Sequence, residues 1–210
     1  AEVLGHPRYR LHIFTSRGRH VLQRQGRLRM PLGYAGAFLT NTVSRKAMGG
    51  WLERVVFSDA REPLPLKLHD YRTQVVPLAP ANFAPSLLAS CSIPFWLEAV
   101  HDIPGAPRGA YWDGGITDYH LHLDYGQMSE GLVLYPHFQP TVVPGWLDKS
   151  LKHRHGATAR LSNVVLLIPN PEWVKAVMPN GKLPDRSDFK SYGERTDERQ
   201  RDWRRAVAES

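Results

Sequence analysis

The sequence predicts an α/β domain, and three observations carry that prediction. Apolar runs of strand length recur along the chain, as at residues 131–135 and 163–168. Segments with helical spacing lie between them, and Gly or Pro clusters mark the joints. The chain has 210 residues, 42% of them hydrophobic and 22% charged, which is enough for one domain with a real core. The longest apolar run, 164–168, falls far short of the ~20 residues that a membrane span requires.

Taken in order, residues 9–15 alternate toward β and predict the first strand. Residues 22–30 are basic and predict a loop or an edge strand. Phe38, Val43 and Ala47 recur at roughly helical spacing, so 36–48 predicts a helix that stops at Gly49-Gly50. A short strand follows at 52–57. Pro63, Pro65, Pro77, Pro80 and Pro85 punctuate a connection that holds a strand at 73–76. Ser86 is placed to cap a helix running through Ala89 to Cys91. A strand at 97–101, a Pro/Gly turn at 104–109 and a strand end at 111–113 come next. The runs at 131–135 and 163–168 predict strands buried in a sheet. Pro171 near a first helical position predicts a short helix over 171–178. Residues 188–208 predict one polar terminal helix carrying Trp203 and Val207. Its arginines alternate with Asp197, Glu198 and Asp202, the pattern of an exposed, ion-paired helix.

The most informative stretch is 110–120, Ala-Tyr-Trp-Asp-Gly-Gly-Ile-Thr-Asp-Tyr-His. Tyr111 and Trp112 favour extended backbone. Gly114 and Gly115 allow positive φ and leave room for another backbone or a ligand. Asp113 then stands where a strand ends and a turn begins, and the crevice beyond strand carboxyl ends is the usual place for chemistry in α/β proteins. Upstream, 89–94 reads Ala-Ser-Cys-Ser-Ile-Pro.

Ala-Ser-x-x-x-Pro, a short strand and then Tyr-x-Asp-Gly-Gly resembles the C-terminal half of the patatin-like phospholipases. The resemblance is specific at 89–115 and extends more vaguely from about residue 9 to about 180. It implies a patatin-like three-layer α/β/α fold, incomplete on its N-terminal side, over residues 1–180. Residues 181–210 would be a polar helical extension. It also implies hydrolysis of lipid acyl esters by a serine–aspartate dyad, with Asp113 as the carboxylate and Gly114 and Gly115 as its supporting glycines. No cofactor or metal is implied. The sequence departs from the family in one place: Asp118-Tyr119-His120 stands where Asn-x-Pro is common.

The family's nucleophile lies in Gly-x-Ser-x-Gly, a strand-to-helix turn that exposes the serine oxygen. No serine in this chain has both glycines; Ser16, Ser129 and Ser191 keep only the second. The Gly-rich oxyanion loop is absent too, since the Gly-Gly pairs are 49–50 and 114–115. The chain therefore reads as a fragment, with the base present and the nucleophile and oxyanion donors upstream. Ser90 and Ser92 lack elbow glycines and are expected to cap or pack near the site. The lone Cys91 is expected to pack as a small apolar residue.

A second chemistry competes. If 120–124 were a strand, His120, His122 and Asp124 would share one face, with Asp118 and His101 as added ligands, and could serve a metal-dependent hydrolase. His153 and His155 repeat the spacing in a basic segment. Ser187 and Lys190 match Ser-x-x-Lys without an accompanying motif. The net charge of +7 comes mainly from arginines near the two ends. That charge is compatible with peripheral contact with an anionic membrane, or with nucleic acid as a minor alternative, although no nucleic-acid recognition module is visible. The expected partner is a lipid or phospholipid substrate, no nucleic acid is expected, and the expected location is cytoplasmic or peripheral to a membrane.

Overall fold

A computed structural model describes residues 3–128 and 130–209. The chain forms two compact units. One comprises residues through Val133 together with Thr141–Val164, and the other Leu134–Pro140 with the residues from Val165 onward. The boundary expected at 180/181 falls inside the second unit.

The first unit is mixed α/β, built on a five-stranded sheet of order β3-β2-β1-β5-β4. Its strands are β1 (His12–Gly18), β2 (Leu52–Asp59), β3 (Thr73–Leu78), β4 (Val100–His101) and β5 (Ala110–Asp113). β1 runs antiparallel to both β2 and β5, β4 runs antiparallel to β5, and β2 and β3 are parallel. All eight residues of β2 are buried, as befits a strand paired on both edges. Its sequence nevertheless holds Glu53 and Arg54. Adjacent residues of a strand point to opposite faces, and the core divides accordingly. Trp112 packs with Leu22, Met30, Tyr34 and Ile116. Its neighbour Tyr111 packs with Ile13, Val55, Phe57 and Ala89.

Helix α1 (Arg29–Val43) begins seven residues before the expected start, and α2 (Arg45–Met48) is separate. The break falls at Ser44, which is extended (φ −159°) and whose hydroxyl accepts from the Lys46 N–H at 3.2 Å. Thr40, Thr42 and Val43 weaken the helix just before this cap. Residues 22–30 form neither loop nor edge strand throughout: a 3-10 turn at His20–Gln23 buries Leu22, and α1 then begins. Helix α3 (Pro80–Ser90) starts with Pro80, not at Ser86. Asn82 Oδ1 accepts from the Ala79 N–H at 2.8 Å, while Ser86 lies inside the helix and donates to the Phe83 carbonyl. The single-turn α4 (Gly115–Asp118) follows β5 directly.

Strands β6 (Val133–Pro136) and β7 (Val164–Leu167) pair in a separate two-stranded sheet. They are not buried as expected, because alternate positions, Leu134, Val165 and Leu167, face solvent. In the second unit, α5 (Pro171–Val177) matches expectation, and Asn170 Oδ1 caps it. The terminal helix is two helices, α6 (Asp188–Tyr192) and α7 (Thr196–Glu209). Gly193 breaks it at φ +55°, a conformation that costs a glycine little. Trp203 Nε1 donates to Asp188 Oδ2 at 2.9 Å, and Arg195 pairs with Glu198 at 2.7 Å. No helix among the described residues is long and apolar enough to cross a membrane.

Candidate active site

β5 ends at Asp113, opposite Thr15 of β1. The Asp113 N–H donates to the Ser92 carbonyl at 3.0 Å, so 89–94 and 110–115 meet at this residue. Its Oδ1 accepts from the Gly115 N–H at 2.6 Å, which orients the carboxylate. Burial pushes the Asp113 carboxyl above the ordinary carboxylate range, and the Gly115 N–H pulls it partly back. Neither motif glycine has positive φ; Gly114 is at −61°. Of the two reasons expected for glycine here, positive φ does not apply and close approach of another backbone does. A Cβ on Gly114 would lie 2.3 Å from the Phe14 carbonyl oxygen, so β1 itself fills the space beside it.

The turn after Asp113 is held by interior ion pairs. Arg54 reaches Asp118 through Nε–Oδ2 at 2.7 Å and Nη2–Oδ1 at 2.5 Å. The same guanidinium donates to both oxygens of Asp70, at 2.7 and 3.0 Å, and lies 4.5 Å from the Tyr71 ring centroid. Arg45 Nη2 donates to the Thr117 carbonyl at 2.8 Å, and its Nη1 donates to Asp148. Asp148 also accepts from Asn41 and Arg154. Two cations thus grip consecutive residues of α4, one by side chain and one by backbone. Tyr34 is buried near this loop, packed edge-on to Trp112 at 6.1 Å, and burial and the Asp113 charge both push its phenol up. Among the described residues its hydroxyl has no hydrogen-bond partner.

Ser92 is buried, and its hydroxyl donates to the Leu88 carbonyl at 2.9 Å; Ser90 donates to the Leu87 carbonyl. Both serve helix α3. Cys91 is exposed rather than packed. Ser16 lies inside β1, 2.9 Å from the Thr117 hydroxyl, Ser191 lies in α6, and Ser129 falls outside the described residues.

The shared face that a strand at 120–124 would give the competing metal chemistry does not form. These residues are not a strand, and the chain turns at Leu121 with φ +43°. His120 Nδ1 accepts from the Val143 N–H at 2.9 Å. His122 Nε2 lies 3.1 Å from the Thr158 hydroxyl, and burial pulls its imidazole below the ordinary value. Asp124 accepts from Gln127 Nε2. Asp118 is committed to Arg54, and His101 is exposed on β4. Among the described residues, no group of three His, Cys, Asp or Glu side chains is placed to hold a metal ion.

Motif reading missed Arg54, Asp70, Arg45 and Asp148. One signal was present: a charged pair, Glu53-Arg54, inside an otherwise apolar strand must find interior partners. No family model matches this chain, and neither the curated proteins nor the solved structures give a match.

Proposed function

We propose that residues 1–210 supply the base half of a lipid acyl hydrolase of the patatin-like kind, with Asp113 as the carboxylate of a serine–aspartate dyad. One observation carries this reading. The Ser92 carbonyl accepts from the Asp113 N–H, so the two stretches that carry the resemblance converge on one half-buried carboxylate. The matching fold proposal is a three-layer α/β/α domain, supported by core clusters that take alternate residues of β5.

In the mechanism, the hydroxyl oxygen of a serine on a segment outside these residues attacks the acyl carbonyl of a lipid or phospholipid. Asp113 accepts the hydroxyl proton, and backbone N–H groups hold the oxyanion. A dyad has no imidazole relay, so the carboxylate must touch the serine directly. Burial makes Asp113 a stronger base than an ordinary aspartate, which is the direction this role requires. The Gly115 N–H fixes one carboxylate oxygen and leaves the other for the serine. The enzyme would work in the cytoplasm or at a membrane surface.

The test compares two proteins. Chain 1–210 alone should turn over short-chain nitrophenyl esters no faster than its Ser90→Ala, Ser92→Ala variant. A longer polypeptide that joins it to a Gly-x-Ser-x-Gly segment should hydrolyse them, and Asp113→Asn should cut that rate by ~10² or more. Serine-inhibitor-sensitive hydrolysis by the 210-residue chain itself would defeat the proposal.

A further inference from the structure

Glu53 is fully buried in β2, and three arginines converge on it. Arg17 Nε donates to Oε1 at 3.0 Å and Arg72 Nε to Oε2 at 2.8 Å, while Arg19 Nε stands 3.8 Å from Oε2. Three guanidinium groups therefore face one carboxylate, and two positive charges are left over. Arg17 spends its Nη1 on the Arg108 carbonyl at 2.7 Å, and Arg19 spends its Nη1 on the Gly49 carbonyl at 2.8 Å. Among the described residues, Arg19 Nη2 and both Nη atoms of Arg72 have no partner. Their side chains are 22% and 54% exposed, so these donors reach solvent. Both arginines flank one turn: Arg19 bonds the Gly49 carbonyl, and a Cβ on Gly49 would lie 3.7 Å from the Arg72 Cβ.

This differs from a solvated surface arginine. The Arg72 Nε edge is hydrogen-bonded to a buried carboxylate and Arg19 is fixed by the Gly49 carbonyl, so both guanidinium groups are held before any ligand arrives, and little ordering remains to be done on binding. We propose that Arg19 and Arg72, braced on Glu53, form a binding site for a phosphate group. A phosphate monoester carries about −1.5 to −2 charge at neutral pH, which matches the surplus. Its oxygens also suit the planar fork of a guanidinium, whereas an ammonium would offer only a point charge. The phosphate could belong to a lipid head group or to a soluble phosphate ester. The site is independent of the acyl-hydrolase reading, because none of its residues contacts Asp113 or α4 through a hydrogen bond or ion pair.

The experiment titrates inorganic phosphate into the 15N-labelled chain while the arginine Nε–H signals are followed. The Arg19 and Arg72 signals should shift saturably, and Arg72→Gln should weaken binding by about tenfold, the scale of one charge-assisted hydrogen bond. Arg17 still holds Glu53 in that variant, and Arg72→Lys provides a second one that keeps the charge but loses the fork. Arg204→Gln, on α7, should bind as wild type. Co-sedimentation with phosphatidylcholine vesicles, with and without phosphatidate, identifies the source. Phosphatidate-dependent binding lost in Arg72→Gln assigns a lipid head group. Saturable phosphate binding without it assigns a soluble phosphate ester. No saturable shift, or one that Arg72→Gln and Arg72→Lys leave unchanged, overturns the proposal.

Discussion

Replacing Arg54 by Met is the sharpest test of how the Asp113 turn is held. The Arg54 side chain is fully buried and the Asp118 side chain is 1% exposed, so removing the guanidinium strands a carboxylate in the interior. Among the described residues, only the Thr117 hydroxyl, 2.9 Å from Oδ2, remains to the Asp118 side chain. Asp70 loses the same partner but lies nearer the solvent. Breaking a buried pair on one side costs about 3–5 kcal/mol. At about 2–4 °C per kcal/mol for a chain of this size, Tm should fall by roughly 6–20 °C. The control is Arg54→Met with Asp118→Leu. An apolar pair of similar bulk removes the uncompensated charge and should recover most of the loss. Urea titrations followed by circular dichroism measure all three proteins. A loss below ~1 kcal/mol in Arg54→Met, or a double variant no better than the single, would refute the reasoning.

Other outcomes follow from the same site. Gly114→Ala should cost about 1–3 kcal/mol, because its Cβ would meet the Phe14 backbone at 2.3 Å. Gly156→Ala, with open space around it, should stay within ~0.5 kcal/mol; equal melting midpoints for the two variants would dismiss the contact. Asp113→Asn has a signed pH dependence. The folded pKa is raised, so the stability present below the unfolded value of about 3.9 is lost as pH rises through the folded pKa. At pH 7 the wild type bears that loss and the amide does not. The variant should therefore be at least as stable as wild type at pH 7, with its advantage shrinking toward pH 4. A variant clearly weaker at pH 7 contradicts this.

The strands that became β2, β3 and β5 were legible because β-branched and aromatic residues cluster in short runs between breakers. Their partners were not. Nothing local to residues 131–135 says that they pair with 164–167 in a sheet of two strands rather than join a larger one. Helix α3 was misread at its start because Ser86 looks like a cap, whereas Pro80 and the Asn82 side chain make the actual one. At the site, Asp113 was legible from a compact pattern with few alternatives. The ion pairs of Arg54 with Asp70 and Asp118 were not, since they join positions 16 and 64 residues apart and leave no periodic trace. The imidazoles at 120 and 122 show the opposite failure: a local spacing suggested a shared face that a single residue at positive φ removes.

Glu53 and Arg54 are neighbours in one strand, and a strand sends neighbours to opposite faces. On the Glu53 side, three guanidinium groups outnumber one carboxylate; on the Arg54 side, Arg54, Arg45 and Arg154 balance Asp70, Asp118 and Asp148. The middle of the sheet is thus charged unevenly, with a positive surplus toward one face and balanced pairs toward the other. Buried charges are poorly screened by salt, so the Glu53–Arg17 pair holds at ionic strengths that weaken the exposed Arg72 charge. An anion meeting the protein at low ionic strength is therefore drawn to the Glu53 side in preference to the Arg54 side, which makes the direction of approach a property of the strand that carries both residues.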